Sequence, residues 1–143
     1  MSVGGRRWLP VCLWLVGCCG GPAVAQDRPL AKEEFAPSSV ARGRALLANR
    51  HESGCVLCHT VPGLPAGGDL GPALAGLAER ASAAQIRQRI ADPRLLNPQT
   101  IMPAYFSTLG LNGVASAYAG RTVLTEQGLE DILAYLLQTT RAP

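Results

Sequence analysis

The chain has 143 residues, 48% of them hydrophobic and 16% charged, and its 13 Lys and Arg against 10 Asp and Glu give a formal charge of +3. That length allows one ordinary domain, and so weak a basic excess leaves nucleic-acid binding without electrostatic support, so no nucleic-acid partner is expected. Aromatic residues are only 5% of the chain, so the core must come from Leu, Ile and Ala, with little ring surface to bury.

Residues 1–25 read as an export signal. Arg6 and Arg7 precede an apolar stretch from Trp8 to Val16, and small residues end at Ala23-Val24-Ala25. Cleavage after Ala25 starts the mature chain at Gln26 and places it outside the cytoplasm, in the periplasm. The apolar stretch is too short, and too soon followed by Gly and Pro, for a membrane span. Leu15-Val16-Gly17-Cys18 also resembles a lipoprotein processing box, which would leave Cys18 lipidated and the domain tethered; only in that case is a membrane association expected. Removing the signal takes Trp8, Trp14, Cys12, Cys18 and Cys19 with it. Basic side chains fall from 13 to 11 against 10 acidic ones, so the mature chain is close to neutral. Cys55 and Cys58 become its only cysteines, and Met102 its only methionine.

Residues 26–37 have mixed charge, no period and a closing proline, and form an N-terminal arm ahead of a domain at 38–143. Ser38 or Ser39 can cap a helix running to about Arg50, with Val40, Gly43 and Leu47 on one stripe. Gly43 inside that helix costs about 1 kcal/mol relative to alanine, which points to a close helix crossing or to simple tolerance.

The run Cys55-Val56-Leu57-Cys58-His59 follows. C-x-x-C-H is the covalent attachment signature of c-type haem: two thiols on one helical turn form thioethers, and the next residue supplies the proximal imidazole. Three other readings compete. A redox dithiol belongs beside strand-helix alternation, which is missing here. A zinc site would have to recruit His51, Cys55, Cys58 and His59, although adjacent Cys58 and His59 rarely share one tetrahedral ion. A Cys55–Cys58 disulfide would close a very small loop.

Pro62 to Gly71 is a Pro- and Gly-rich loop suited to folding over a haem edge. Within Gly71-Pro72-Ala73-Leu74, the Pro72 carbonyl is a candidate acceptor for the second ring N–H of His59, the partner that fixes a metal-bound imidazole; an ordinary turn is the alternative. Ser82 can cap a helix to about Ala91, with Ile86 and Ile90 on one face and Pro93 ending it. The chain is irregular from Asn97 to Leu124. Met102, in Thr100-Ile101-Met102-Pro103, is the candidate second iron ligand, a soft thioether that favours ferrous iron; a core methionine filling a gap is the other reading. His51 lies just before the first attachment cysteine, where reaching the opposite haem face is hard. Ala104 to Leu124 carries Tyr105, Phe106, Leu109, Leu111, Val114 and Tyr118 in a glycine-rich loop, expected either to contribute to a lasting heterodimer interface or to pack on its own domain. Thr125 caps a last helix with Leu129, Ile132, Leu133 and Leu136 at helical spacing. No strand alternation or repeat persists, so the expected architecture is all-α, wrapped around a cofactor.

In this order the motifs resemble class I cytochromes c over nearly the whole mature chain: a helix with Gly43, C-x-x-C-H, Gly-Pro-x-Leu, Met-Pro, and a final helix with Leu133 and Tyr135. Within that class the chain is similar to the SoxX family, the monohaem subunits of SoxAX sulfur-oxidation cytochromes. The similarity rests on Gly54 to Thr60, Gly71 to Leu74, Asn97 to Tyr105, Gly110 to Asn112, Val123 to Thr125 and Glu130 to Leu136. It implies one covalent haem c, anchored by Cys55 and Cys58, with His59 and Met102 as axial ligands. It further implies a heterodimer with a SoxA-type cytochrome subunit and a place in an L-cysteine S-thiosulfotransferase that joins thiosulfate to a cysteine of the SoxYZ carrier protein. Electrons would then pass to a downstream acceptor cytochrome. No residue of this chain resembles a sulfur-activating nucleophile, so its expected part is electron transfer, with no catalytic residue. A free periplasmic shuttle, or a cytochrome subunit of another dehydrogenase, is the alternative; free shuttles commonly dock through a charged ring, which a near-neutral chain fits poorly.

Overall fold

The computed structural model describes residues 1, 35–65 and 67–140. The export signal at 1–25, with Cys18, and the arm at 26–37 apart from its last three residues lie outside the described residues. The described helices all fall in one structural unit, Glu33–Pro143. They are α1 (Pro37–Ala48), α2 (Cys55–Cys58), α3 (Leu77–Arg80), α4 (Ala83–Ala91) and α5 (Glu126–Thr139), with 3₁₀ turns at Pro93–Leu95 and Ser116–Tyr118. No strand occurs among the described residues, in keeping with the all-α expectation.

α1 starts one residue before the serines expected to cap it. Pro37 occupies its first turn and Ala36 is the cap, with no side-chain hydrogen bond. A proline there lacks the N–H that would otherwise need a partner, and its fixed φ already suits the helix. Ser39 instead accepts from Arg42 Nη2 at 3.1 Å. The helix stops at Ala48 because the Asn49 side chain turns the chain, accepting from the amides of His51 at 3.0 Å and Glu52 at 3.2 Å.

α4 and α5 follow their sequence signals closely. Ser82 and Gln85 form a reciprocal capping box, and Ile86 and Ile90 are buried. Thr125 Oγ1 accepts from Gly128 N at 3.0 Å, and Leu129, Ile132, Leu133 and Leu136 are all buried on α5. The four-residue α3 and the 3₁₀ turn at Ser116–Tyr118 are too short to leave a period in the sequence.

The frame is set where α1 crosses α5. A Cβ on Gly43 would sit 1.9 Å from the backbone oxygen of Asp131, so only glycine permits this approach. The same crossing buries Asp131, which is 2% exposed. Its carboxylate accepts from Arg42 Nε at 2.6 Å, Arg42 Nη2 at 2.9 Å and Gln127 Nε2 at 2.9 Å. A buried carboxylate is tolerated only when its lone pairs are met in this way. The crossing leaves α2, α4 and the segment around Met102 to enclose the functional site.

Candidate functional site

α2 places Cys55 and Cys58 one turn apart, both as free, half-buried thiols. Gly54 makes the sharp entry with φ +65°, and Gly54 N donates to Asn49 O at 3.0 Å. His59 ends the helix in extended conformation, its amide donating to Cys55 O at 2.9 Å. Burial pushes the Cys55 thiol up from its ordinary value, partly offset by the neighbouring Ser53 and Tyr105 hydroxyls.

The loop after the motif lies flat against it. Gly68 N donates to Val56 O at 3.0 Å, Gly71 N to Cys58 O at 2.8 Å, and Leu74 N to Thr60 O at 2.9 Å. A Cβ on Gly68 would lie 2.1 Å from Leu57 O, and one on Gly71 would lie 2.4 Å from His59 Cε1. The loop's glycines therefore let the backbone rest on the His59 ring. The other side of the loop is tied to α5 by Tyr135, whose hydroxyl donates to Pro62 O at 2.7 Å.

His59 Nδ1 lies 2.7 Å from Pro72 O. A carbonyl only accepts, so Nδ1 carries the hydrogen and Nε2 is left with its lone pair. The tautomer suited to metal ligation is thus set by Pro72.

Met102 is half-buried, presented by a tight set of turns. Gln99 N donates to Asn97 Oδ1 at 3.0 Å, Thr100 N to Asn97 O at 3.0 Å, and Met102 N to Thr100 Oγ1 at 3.2 Å. Beyond it the chain is stitched to the body: Tyr105 N donates to Ile90 O at 3.2 Å and Phe106 N to Ala91 O at 3.0 Å.

Two clefts meet these residues. One, of about 390 Å³, is lined by Cys55, Cys58, His59, Pro72 and Met102. The other, of about 280 Å³, shares Cys55, His59, Pro72 and Met102 and is walled by Leu47, Leu74, Ile86, Ile90, Ile132 and Leu136. The sizes are of the order of small-molecule and cofactor sites. Two free thiols, a correctly protonated imidazole and a thioether, all facing apolar walls, fit the covalent and axial needs of a haem c. The zinc reading finds no support: no group of three or more metal-binding side chains occurs among the described residues. His51 is exposed and lines neither cleft.

Sequence reasoning placed Tyr105 in the apolar surface loop. It is instead 7% exposed and lines both clefts beside Cys55. Burial first, and Cys55 second, raise the phenol above its ordinary pKa. The rest of the loop differs: every residue from 108 to 121 is exposed. Leu109 is 76% and Tyr118 65% exposed, so neither packs on its own domain. Arg94 pins the near end of this loop. Its Nη1 donates to Leu109 O at 2.7 Å, and its Nε and Nη2 hold the Asp92 carboxylate at 2.7 and 2.6 Å. No described helix is long and apolar enough to cross a membrane.

The family model for cytochrome c matches residues 40–140. No curated protein sequence matches the chain significantly. Among solved structures, the crystal structure of SoxXA from P. pantotrophus is similar at 25% identity and a TM-score of 0.63, covering 77% of this chain and 88% of the other. The c-type cytochrome SorU from Sinorhizobium meliloti is similar in fold, at 24% identity and a TM-score of 0.51, covering 73% of this chain and 94% of the other.

Proposed function

We propose, from the premise that the chain belongs to the cytochrome c family, that it is the electron-transfer subunit of a SoxAX-type complex acting on thiosulfate in the periplasm. The coarser part stands on its own: this is a monohaem c-type cytochrome of the class I fold, and its work is electron transfer.

When bound, the haem supplies one centre that takes up and releases a single electron. The chain's own residues do the rest. Cys55 and Cys58 would hold the group covalently, so that it could not dissociate in an extracytoplasmic compartment. His59 would offer Nε2 to the iron, kept in that tautomer by Pro72 O. Met102, which lines the same clefts, would be the second iron ligand, a soft donor that favours the reduced state. The Leu and Ile walls would shield the bound group from water, which would lower the local dielectric and limit reorganisation around the changing charge.

The finer assignment is carried by the likeness to SoxXA, which spans 88% of that chain. The exposed apolar loop supports it, because a chain that leaves Leu109, Leu111, Val114 and Tyr118 in water is built to be covered by a partner. In our reading that partner is a SoxA-type subunit. Sulfur-bond formation on a SoxYZ carrier falls to that subunit, and this chain passes the electrons to a downstream acceptor.

Purification from the native periplasm tests the proposal. Co-elution with a second haem-bearing chain, and a mass equal to residues 26–143 plus one haem, is the expected result. A stable lone monomer would overturn the SoxAX reading in favour of a free shuttle, and a lipid adduct on Cys18 would replace the soluble form. For the ligand set, Met102→Ala should abolish the ferric near-infrared band of sulfur–iron ligation; an unchanged low-spin spectrum removes Met102 from the iron.

A further inference from the structure

Arg94 reaches from the end of α4 into the exposed loop. It sits in the 3₁₀ turn Pro93–Leu95, which Asp92 caps. The Asp92 carboxylate accepts from Arg94 N at 3.2 Å as well as from Nε and Nη2, so a buried acid aims the guanidinium. The remaining edge of the guanidinium takes the loop. Nη1 donates to Leu109 O at 2.7 Å and Nη2 to Ser107 Oγ at 3.3 Å, while Ser107 Oγ accepts from Leu109 N at 3.3 Å. Gly110, at φ +70°, turns the chain over the guanidinium, where a Cβ would lie 3.4 Å from Nη1. Both backbone polar groups of Leu109 are thus met inside the chain, although Leu109 is 76% and Leu111 45% exposed. Fixing a backbone beneath apolar side chains in water buries nothing by itself. The gain comes when a second surface covers them.

We propose that Asp92, Arg94 and Ser107 form a preorganising clamp that displays Leu109 and Leu111 as a fixed apolar knob for an uncharged, apolar pocket on the partner subunit. The inference rests on the heterodimer of the proposed function. Charge identifies the chemistry of the pocket. Residues 106–120 contain no Asp, Glu, Lys, Arg or His, and the one cation beneath them, Arg94, is neutralised by Asp92. A charged group pressed against such a knob would lose its water and gain no partner, so the complement is apolar. Arg94 is a positioning residue in this scheme: it touches no partner atom, but removes in advance the ordering cost that binding would otherwise carry. The same turn supplies Pro93 and Leu96 to the larger cleft, so the knob and the redox site share one support.

The experiment compares haem-loaded wild type with Arg94→Lys, Ser107→Ala and Leu109→Ser. Each is read twice: alone, by exchange of the Leu109 amide and proteolytic nicking within 107–115, and then by affinity for the purified partner subunit. Arg94→Lys keeps a cation for Asp92 but lacks the fork that also reaches Leu109 O. It should speed exchange and nicking and weaken partner binding about tenfold, the scale of ordering two side chains at an interface, with the urea midpoint little changed. Ser107→Ala should weaken binding roughly two- to fivefold, as one modest hydrogen bond would. Leu109→Ser should lose binding while leaving nicking as in the wild type. Wild-type affinity should hold as ionic strength rises. Unaltered exchange and affinity in Arg94→Lys overturn the clamp, and a steep fall of affinity with salt overturns the uncharged pocket. A homodimer of the isolated chain that Leu109→Ser disperses overturns the choice of occupant. A wild-type chain that binds no second haem-bearing chain refutes the heterodimer itself, whatever the loop measurements on the isolated chain give.

Discussion

The α1–α5 crossing and the 106–123 loop are built on opposite terms. At the crossing the chain supplies its own partners: Gly43 rests on the Asp131 backbone, and Asp131 is held by Arg42 and Gln127. In the loop, apolar side chains stand in water and much of the backbone is left to turns, with Arg94 as the main tie to the body. The crossing is finished by the chain itself. Under the proposed function, the loop is covered by the partner subunit. Stability and recognition are thus segregated, so each can be disturbed with little effect on the other.

That separation can be broken by substitution, and the crossing should respond most. Gly43→Ala gains helix propensity but drives a methyl into Asp131 O. We expect a net loss of roughly 3 kcal/mol in urea unfolding of the haem-loaded protein. A neutral result would mean that the helices can part at little cost.

Asp131→Asn should come next. The Arg42 guanidinium holds the Asp131 carboxyl below the usual carboxylate range despite its burial, and Arg94 brings Asp92 down to about 2. Both carboxyls take up protons more readily in the unfolded chain. Their stabilisation is therefore complete above the ordinary carboxylate range and drains as pH falls through about 4 toward 2. The wild-type unfolding midpoint should drop over that window. Asp131→Asn should lower the midpoint at pH 7 and flatten the acid drop, with the remainder belonging to Asp92. An acid limb identical in both proteins would remove Asp131 from the account.

The smallest effect on stability is expected from Leu109→Ser combined with Tyr118→Ser. Both side chains are mostly in water, so unfolding should change by no more than about 0.5 kcal/mol, while co-purification of the partner subunit is lost. Marked destabilisation would show that the loop packs on its own body and would collapse the contrast between the two regions.

Much of the frame was legible because its causes are local. Ser82 with Gln85, Thr125 with Gly128, and the spacing of Ile86 and Ile90 act within one helical turn. Pro72 was readable because a metal-bound imidazole needs an acceptor and the loop after the motif is short enough to supply one. What escaped sequence reading depends on distant partners. Tyr105 is pulled inward by Ile90 and Leu124, neither of which shares a pattern with it. Arg94 meets Leu109 across a stretch of irregular chain. The Arg42–Asp131 pair joins residues 89 positions apart, and no periodicity announces a contact of that length.

The same long span has a consequence for biosynthesis. α1 is made early and its crossing partner α5 nearly last, so the frame cannot shut until almost the whole chain exists. Cys55 to His59 lies between the two, and until α5 arrives this stretch has no lid. For an exported chain, covalent loading therefore belongs to the interval after export and before α5 docks on α1, and the docking of the final helix is the step that ends it.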